Sequence, residues 1–365
     1  MAAGAVLLGC LAATGCDRER SRERPGAIVA AETSSAESTR PASSLPAPSA
    51  APRAGTTSEL ERRFRQGSYS FVLLPDTQGY SLAHPEIFMA QTRYVVSRAR
   101  ALDVRFVFHL GDIVDNNTDR EWERARDALS LLSGVVPLAL VPGNHDYGPR
   151  GDASTRTTPL NRFFDFRSLS ASPTFGGAFE PGKLDNVYQL FSAGGRDYVV
   201  LSLEWGPRDA VLAWARGVMD RHPERLGILV THAYLTDEGV RADHRKPRKR
   251  FHNPHDYPTP PPVNDGEEIW QKLVQPHRFA FVFSGHELGD GAGYRADRTA
   301  GGTLCHQLLA NYQMRAQGGE GYLRLLEFFA DGRGVRVHAY SPFHDRMLEA
   351  REHGFEFAFD PRAER

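Results

Sequence analysis

Short, nearly continuous apolar runs alternate in this chain with longer stretches where apolar residues recur every third or fourth position. The runs are rich in β-branched and aromatic residues and read as buried strands, while the longer stretches read as amphipathic helices. "YSFVLL" (69–74) predicts a strand, 85–102 a helix with Ile87, Tyr94, Val95 and Leu102 near helical spacing, and "VRFVFHL" (104–110) a second strand. A helix follows over 119–132 with Asp119 as its N-cap, then a third strand in "VPLALVPG" (136–143). Strand, helix, strand, helix, strand is the order of an α/β unit whose strands are buried and largely parallel. The segment 147–185 has few periodic apolar positions and reads as an irregular excursion. "NVYQLFSAGGRDYVVLSL" predicts two strands about a Gly-Gly turn, 207–222 a helix and "LGILVTH" another buried strand. A polar insertion covers 236–264, a helix 266–275 and a strand "FAFVFSGH", and the remainder reads as hairpins. The expectation is one layered α/β domain over 61–365, its strands sandwiched between helices.

The first sixty residues follow neither rhythm. "MAAGAVLLGCLAATGC" is apolar and small, and too short to span a bilayer, which takes roughly 20 residues. It reads as an export signal over 1–16, although no Lys or Arg precedes the apolar run. The "ATG" before Cys16 resembles a bacterial lipoprotein cleavage box, which makes Cys16 the expected lipidated residue, with Cys10 a second candidate. Residues 17–60 are Ser, Ala, Pro, Thr, Arg and Glu with scarcely an aromatic, too polar to offset the entropy of ordering, and are expected to be a disordered tether. Anchor and tether together place the domain in a bacterial cell envelope, exported and lipid-anchored, with the anchor its only membrane contact. Two of the three cysteines lie in the first sixteen residues, so the domain keeps one thiol, Cys305, read as a small buried hydrophobe. The net charge of −1 offers no global field for nucleic acid, and no specific nucleic-acid binding is expected.

The polar residues gather at the ends of the predicted strands. The first gives Asp76 and Gln78, the second Asp112 and Asp115, the third Asn144, His145 and Asp146, "LVTH" gives His232, and "FSGHE" gives His286. Carboxyl ends of strands in open α/β sheets are where ligands sit. Nitrogen and oxygen donors without thiolates suit divalent Mn, Fe or Zn, and one aspartate can bridge two such ions. Gly111, Gly143 and Gly285 stand beside these residues, where the backbone must turn sharply or approach closely.

These motifs, in this order, resemble the calcineurin-like metallophosphoesterases, whose pattern is D-x-H, G-D-x-x-D, G-N-H-[DE], a separate His and G-H-x-H. Here they read Asp76-Thr77-Gln78, Gly111-Asp112-Ile113-Val114-Asp115, Gly143-Asn144-His145-Asp146, His232, and Gly285-His286-Glu287-Leu288. The resemblance implies an α/β/β/α sandwich with mixed sheets and a phosphoesterase that hydrolyses a phosphate ester on a small molecule or macromolecule. It implies in-line attack by a metal-bound hydroxide at a two-metal centre. Asp112 would bridge the ions, Asn144, His232 and His286 would complete one sphere, and Asp76 and Gln78 would serve the other. His145 would act on the substrate, oriented by Asp146.

Gln78 and Leu288 stand where the family has histidine, and both changes fall on the same ion. An amide oxygen suits a harder ion such as Mn or Mg, and a leucine cannot coordinate at all. "PDTQ" after a strand also resembles a recurring bacterial subgroup of the family. His306, Gln307 and Asn311 are candidates to lend the missing ligand. The alternative is a degenerate member that binds one metal or a phosphorylated ligand without turnover. The insertion's run 241–255 holds six Lys or Arg and three His; it reads as a solvated loop, or as a mouth attracting an anionic substrate. Trp205 and Tyr80 are candidates for stacking on a substrate ring, and Glu287 for orienting His286.

Overall fold

The computed structural model describes residues 56–246 and 252–359. The expected signal, Cys16 and nearly all of the tether lie outside these residues. Residues 56–60, assigned to the tether by composition, belong to the fold. Ser58 caps α1 (Glu59–Arg63) through a reciprocal capping box with Glu61, its hydroxyl meets the Tyr94 hydroxyl at 2.8 Å, and Leu60 is fully buried. Among the described residues, no helix is long and apolar enough to cross a membrane.

Among the described residues, fourteen strands form two sheets. The first sheet contains β1 (Tyr69–Leu74), β2 (Val104–His109), β3 (Leu138–Ala139), β11 (Leu323–Phe328), β12 (Gly334–Ser341), β13 (Arg346–Met347) and β14 (Phe355–Ala358). The second contains β4 (Phe175–Ala178), β5 (Val187–Ala193), β6 (Arg196–Ser202), β7 (Leu226–Val230), β8 (Phe279–Ser284), β9 (Ala292–Arg298) and β10 (Leu304–Ala310). Both are mixed: β1–β2–β3 and β6–β7–β8–β10 run parallel, and hairpins pair antiparallel at their flanks.

Alternation along β1 explains the layering. Phe71 and Leu73 face a core shared with Phe108 of β2 and with Val200, Ile228 and Phe283 of the second sheet. Val72 and Leu74 face a separate core under α3 (Pro85–Arg98) and α4 (Asp119–Leu129), joined by α2 (Gln78–Ala83). On the far side, Leu201, Leu229 and Val282 pack against α7 (Asp209–Arg221) and α8 (Gly266–Ile269). Burying each such side chain contributes about 1.5–3 kcal/mol, and the result is the α/β/β/α order of layers. The 147–185 excursion adds a 3-10 turn at Pro149–Gly151 and the short α5 (Leu160–Phe163), α6 (Phe166–Ser170) and β4.

Two local expectations need correction. Thr118, not Asp119, caps α4, its hydroxyl accepting from the Glu121 N–H, and Asp119 is the first helical residue. The third strand shrinks to Leu138–Ala139 because Pro137 and Pro142 flank it and can donate no ladder hydrogen bond.

Candidate metal centre

The C-terminal ends of β1, β2, β3, β7 and β8 open onto one place where the two sheets meet, and cross-loop hydrogen bonds hold them there. Thr77 N–H donates to the Asp112 carbonyl at 3.0 Å, Gly285 N–H to the His232 carbonyl at 2.9 Å, and His286 N–H to the Asp76 carboxylate at 3.1 Å. Asp112 is the hub. One carboxylate oxygen accepts from His145 N–H at 3.0 Å and the other faces His232 Nε2 at 3.1 Å. Ligand atoms of Asp112, His232 and His286 lie within 4.8 Å of one another, and all three residues are buried. Asp76 and Asn144 are buried beside them, and Gln78 begins α2 on the same rim.

Sequence dictates this closeness. Gly111 has a φ of +96°, and a Cβ there would overlap the His232 ring; a Cβ on Gly143 would run into the Asp112 carboxylate. Asp112 and His286 themselves adopt left-handed φ values of 48° and 73°. Non-glycine residues in sparsely populated conformations cost about 1–3 kcal/mol and concentrate at functional sites.

Backbone carbonyls set the histidine tautomers. His232 Nδ1–H donates to the Leu110 carbonyl at 2.7 Å, and His286 Nε2–H to the His252 carbonyl at 2.8 Å. In the neutral rings that leaves His232 Nε2 and His286 Nδ1 as lone-pair donors, the arrangement that second partners impose on metal-binding imidazoles. Below them, His109 Nε2–H meets the Thr77 hydroxyl at 3.0 Å while its Nδ1 accepts from Gly111 N–H. Burial, with His232 adding repulsion, pushes the His109 pKa down to about 3, so this support stays neutral.

The charges do not balance within the protein. Burial pushes Asp76 well above the ordinary carboxylate range, with Asp112 raising it further and His232 opposing. Burial would raise Asp112 too, but His232 and His145 outweigh it and hold that group well below its usual value. His232 is raised to about 9, the two carboxylates overcoming burial, while burial and His232 lower His286 to about 4. Among the described residues, Gln78 Oε1 and Asn144 Oδ1 are buried with no hydrogen-bond partner. The side-chain oxygens of Gln91, Gln189 and Gln313 are likewise unpartnered, so it is their position at the strand ends, not the missing bond alone, that marks Gln78 and Asn144 as candidate ligands. The donor set therefore fits divalent metal.

His145 is oriented differently from expectation. Its Nδ1 meets the Asp115 carbonyl at 2.8 Å and the Asp115 carboxylate at 3.3 Å. Asp146 does not orient the ring; its carboxylate accepts the backbone N–H groups of Ile113, Val114 and Gly143 and ties two ligand loops together. Glu287 does not touch the His286 ring either. It accepts from His252 N–H at 3.0 Å, and so acts on His286 through the His252 carbonyl.

Of the proposed loans, His306 pairs with the Tyr294 hydroxyl and Gln307 with Asp297 and Tyr234, within the second sheet and its packing. Asn311 Nδ2 donates to the His286 carbonyl at 3.1 Å, supporting the loop. Tyr80 is buried packing whose hydroxyl accepts from Gly321 N–H. Trp205 is also buried, with His286, His232 and Tyr257 around it at ring separations of 4.8, 5.8 and 4.9 Å. Sequence reasoning named Asp115 but gave it no role, and it gave none to His252 or Tyr257. Asp115 was visible as the second acid of "GDIVDN", whereas the other two sit in an insertion without periodicity.

A family model described as calcineurin-like phosphoesterase matches residues 70–290. The chain is 35% identical over 287 residues to the "Uncharacterized protein YvnB" of Bacillus subtilis (strain 168), an alignment covering 75% of this chain and 20% of that one. It thus spans about a fifth of that relative's length. Superposition on the purple acid phosphatase PPD1 from yellow lupin (Lupinus luteus) seeds gives a TM-score of 0.49 at 13% identity, over 80% of this chain and 54% of that one. The 5'-nucleotidase precursor from Thermus thermophilus gives 0.38 at 13%, over 80% and 55%. The family match, rather than these superpositions, carries the assignment. The chain belongs to the calcineurin-like phosphoesterase family.

Proposed function

We propose that the protein is a metal-dependent phosphoesterase whose centre takes two divalent ions. The observation that carries this reading is the buried cluster of Asp112, His232 and His286, whose ligand atoms lie within 4.8 Å of one another, with the Asp76 carboxylate held on the His286 N–H beside it. Asp112 would reach both ions. Asn144, His232 and His286 would form a nitrogen-containing half suited to Zn or Fe, and Asp76 and Gln78 would form an all-oxygen half suited to Mn or Mg. When bound, such ions polarise phosphoryl oxygens and lower the pKa of the attacking water. His145, whose Nδ1 meets the Asp115 carbonyl at 2.8 Å, would donate a proton to the leaving oxygen. Gly111 and Gly143 leave no room for side chains that would separate these groups.

The change to Gln78 and Leu288 supports a second reading, a binder holding one ion without turnover. A panel of aryl phosphate monoesters, aryl diesters and nucleotides, assayed with Mn, Fe, Zn and Mg, separates the two. Hydrolysis that rises as a second ion binds supports the enzyme; one tightly held ion with no hydrolysis of any member supports the binder. The envelope location and lipidation of Cys16 remain part of the proposal. Labelled lipid incorporation that persists in Cys16→Ser would rule that anchor out.

A further inference from the structure

A second cluster of metal-ligating side chains lies apart from the centre, where the 236–264 insertion returns to α8. His244, His255, Asp265 and Glu268 each offer one ligand atom, and these four atoms lie within 4.8 Å of one another. His244 Nδ1 is 2.9 Å from Asp265 Oδ2 and 3.9 Å from Glu268 Oε2, and His255 Nε2 is 2.7 Å from the same Glu268 oxygen. The two imidazoles lie against each other with centroids 4.0 Å apart and planes tilted by 35°. Tetrahedral zinc with bonds near 2 Å sets its ligands about 3.3 Å apart, within the span of these separations.

A helix cap alone does not require this arrangement. Asp265 and Glu268 already form a reciprocal capping box with each other's backbone N–H, and two histidines from separate turns converge on it. Asp265 is fully buried and accepts from the His244 and Glu268 N–H groups and the Asn253 amide, yet among the described residues no Lys or Arg lies within 4 Å of it, and His244 is its only ionic partner. A buried carboxylate held only by neutral hydrogen-bond donors is further stabilised by a cation, and the two converging imidazoles complete a nitrogen and oxygen donor set for one.

We propose that His244, His255, Asp265 and Glu268 bind a structural divalent cation, zinc by its two-nitrogen, two-oxygen donor set. The ion clips both ends of the 244–255 segment to the start of α8. That segment carries His252, whose carbonyl holds His286, and leads into Tyr257, whose ring lies 5.9 Å from the His286 ring. The clip therefore fixes the insertion against the centre without taking part in its chemistry.

The test uses the chain carrying Asp112→Ala and His232→Ala, which removes ligands of the main centre. Loaded with zinc, desalted and analysed by plasma mass spectrometry, it is expected to retain one equivalent. Cobalt(II) in its place should give the intense visible bands of a tetrahedral site. Adding His255→Phe, which keeps an aromatic ring against His244 and removes the nitrogen, should abolish both signals with an unchanged far-ultraviolet dichroism spectrum. No retained zinc before that change, or undiminished zinc after it, overturns the proposal. Should the multiply substituted chain not fold, the unsubstituted chain and His255→Phe alone are compared. A difference of one zinc equivalent then supports the clip, and no difference overturns it.

Discussion

Two acids compete for the role of positioning His145, and the hydrogen bonds separate their functions. Asp115 touches the ring through both its carbonyl and its carboxylate, whereas Asp146 is spent on three backbone N–H groups. His145→Asn should lower kcat about 10²–10⁴-fold, the usual worth of a general acid, with metal content unchanged. Asp146→Ala should instead destabilise the fold by about 3 kcal/mol or more in urea unfolding, because buried donors lose their acceptor. An Asp146→Ala protein of full stability but without activity would return the orienting role to Asp146. The spacing of strand ends made Asp76, Asp112, Asn144, His232 and His286 readable as neighbours. The division of labour between Asp115 and Asp146 was not readable, because it depends on how two loops hydrogen-bond after they meet.

Elements with strong periodicity, α3 and the two parallel strand sets, followed from the pattern of apolar residues. Ends and insertions did not: prolines cut β3 short, a threonine displaced Asp119 from the α4 cap, and the polar insertion showed no period linking His252 to His286. That insertion is tied to the β9–β10 hairpin through Asp297, which meets Arg241 at 2.6 Å and Gln307 at 3.0 Å and also pairs with Arg295. Burial alone would raise the Asp297 pKa, but these hydrogen bonds outweigh it and hold the group down to about 2, below its ordinary 3.8. A depressed acid stabilises the fold fully above its unfolded pKa and loses that contribution as pH falls through the folded value. Asp297→Asn should therefore cost about 1–2 kcal/mol at neutral pH and flatten the stability profile between about pH 4 and 2. Unfolding curves collected across that range check it, and a substituted chain with an unaltered acid limb would contradict it.

At the scale of the molecule, the sandwich acts as a device for convergence. Each sheet alone brings only part of the donor set, Asp76, Asp112 and Asn144 from one and His232 and His286 from the other, and the shared aromatic core fixes the distance between them. Removing a large side chain from that core, as in Phe283→Ala, should cost about 3–5 kcal/mol and weaken metal binding with it, measured by unfolding and by metal titration. The fold class was legible because buried strands alternate with amphipathic helices. The identity of the substrate was not, since the insertions that surround the centre lack a readable motif. The central claim is that phosphoester hydrolysis depends on divalent ions held through Asp112. The most direct measurement is hydrolysis of bis-p-nitrophenyl phosphate by the chelator-stripped chain during titration with Mn, run beside Asp112→Asn. Activity should return in proportion to bound metal in the unsubstituted chain and fall about 10³-fold or more in Asp112→Asn. Hydrolysis that survives metal removal, or is unchanged in Asp112→Asn, would contradict the account.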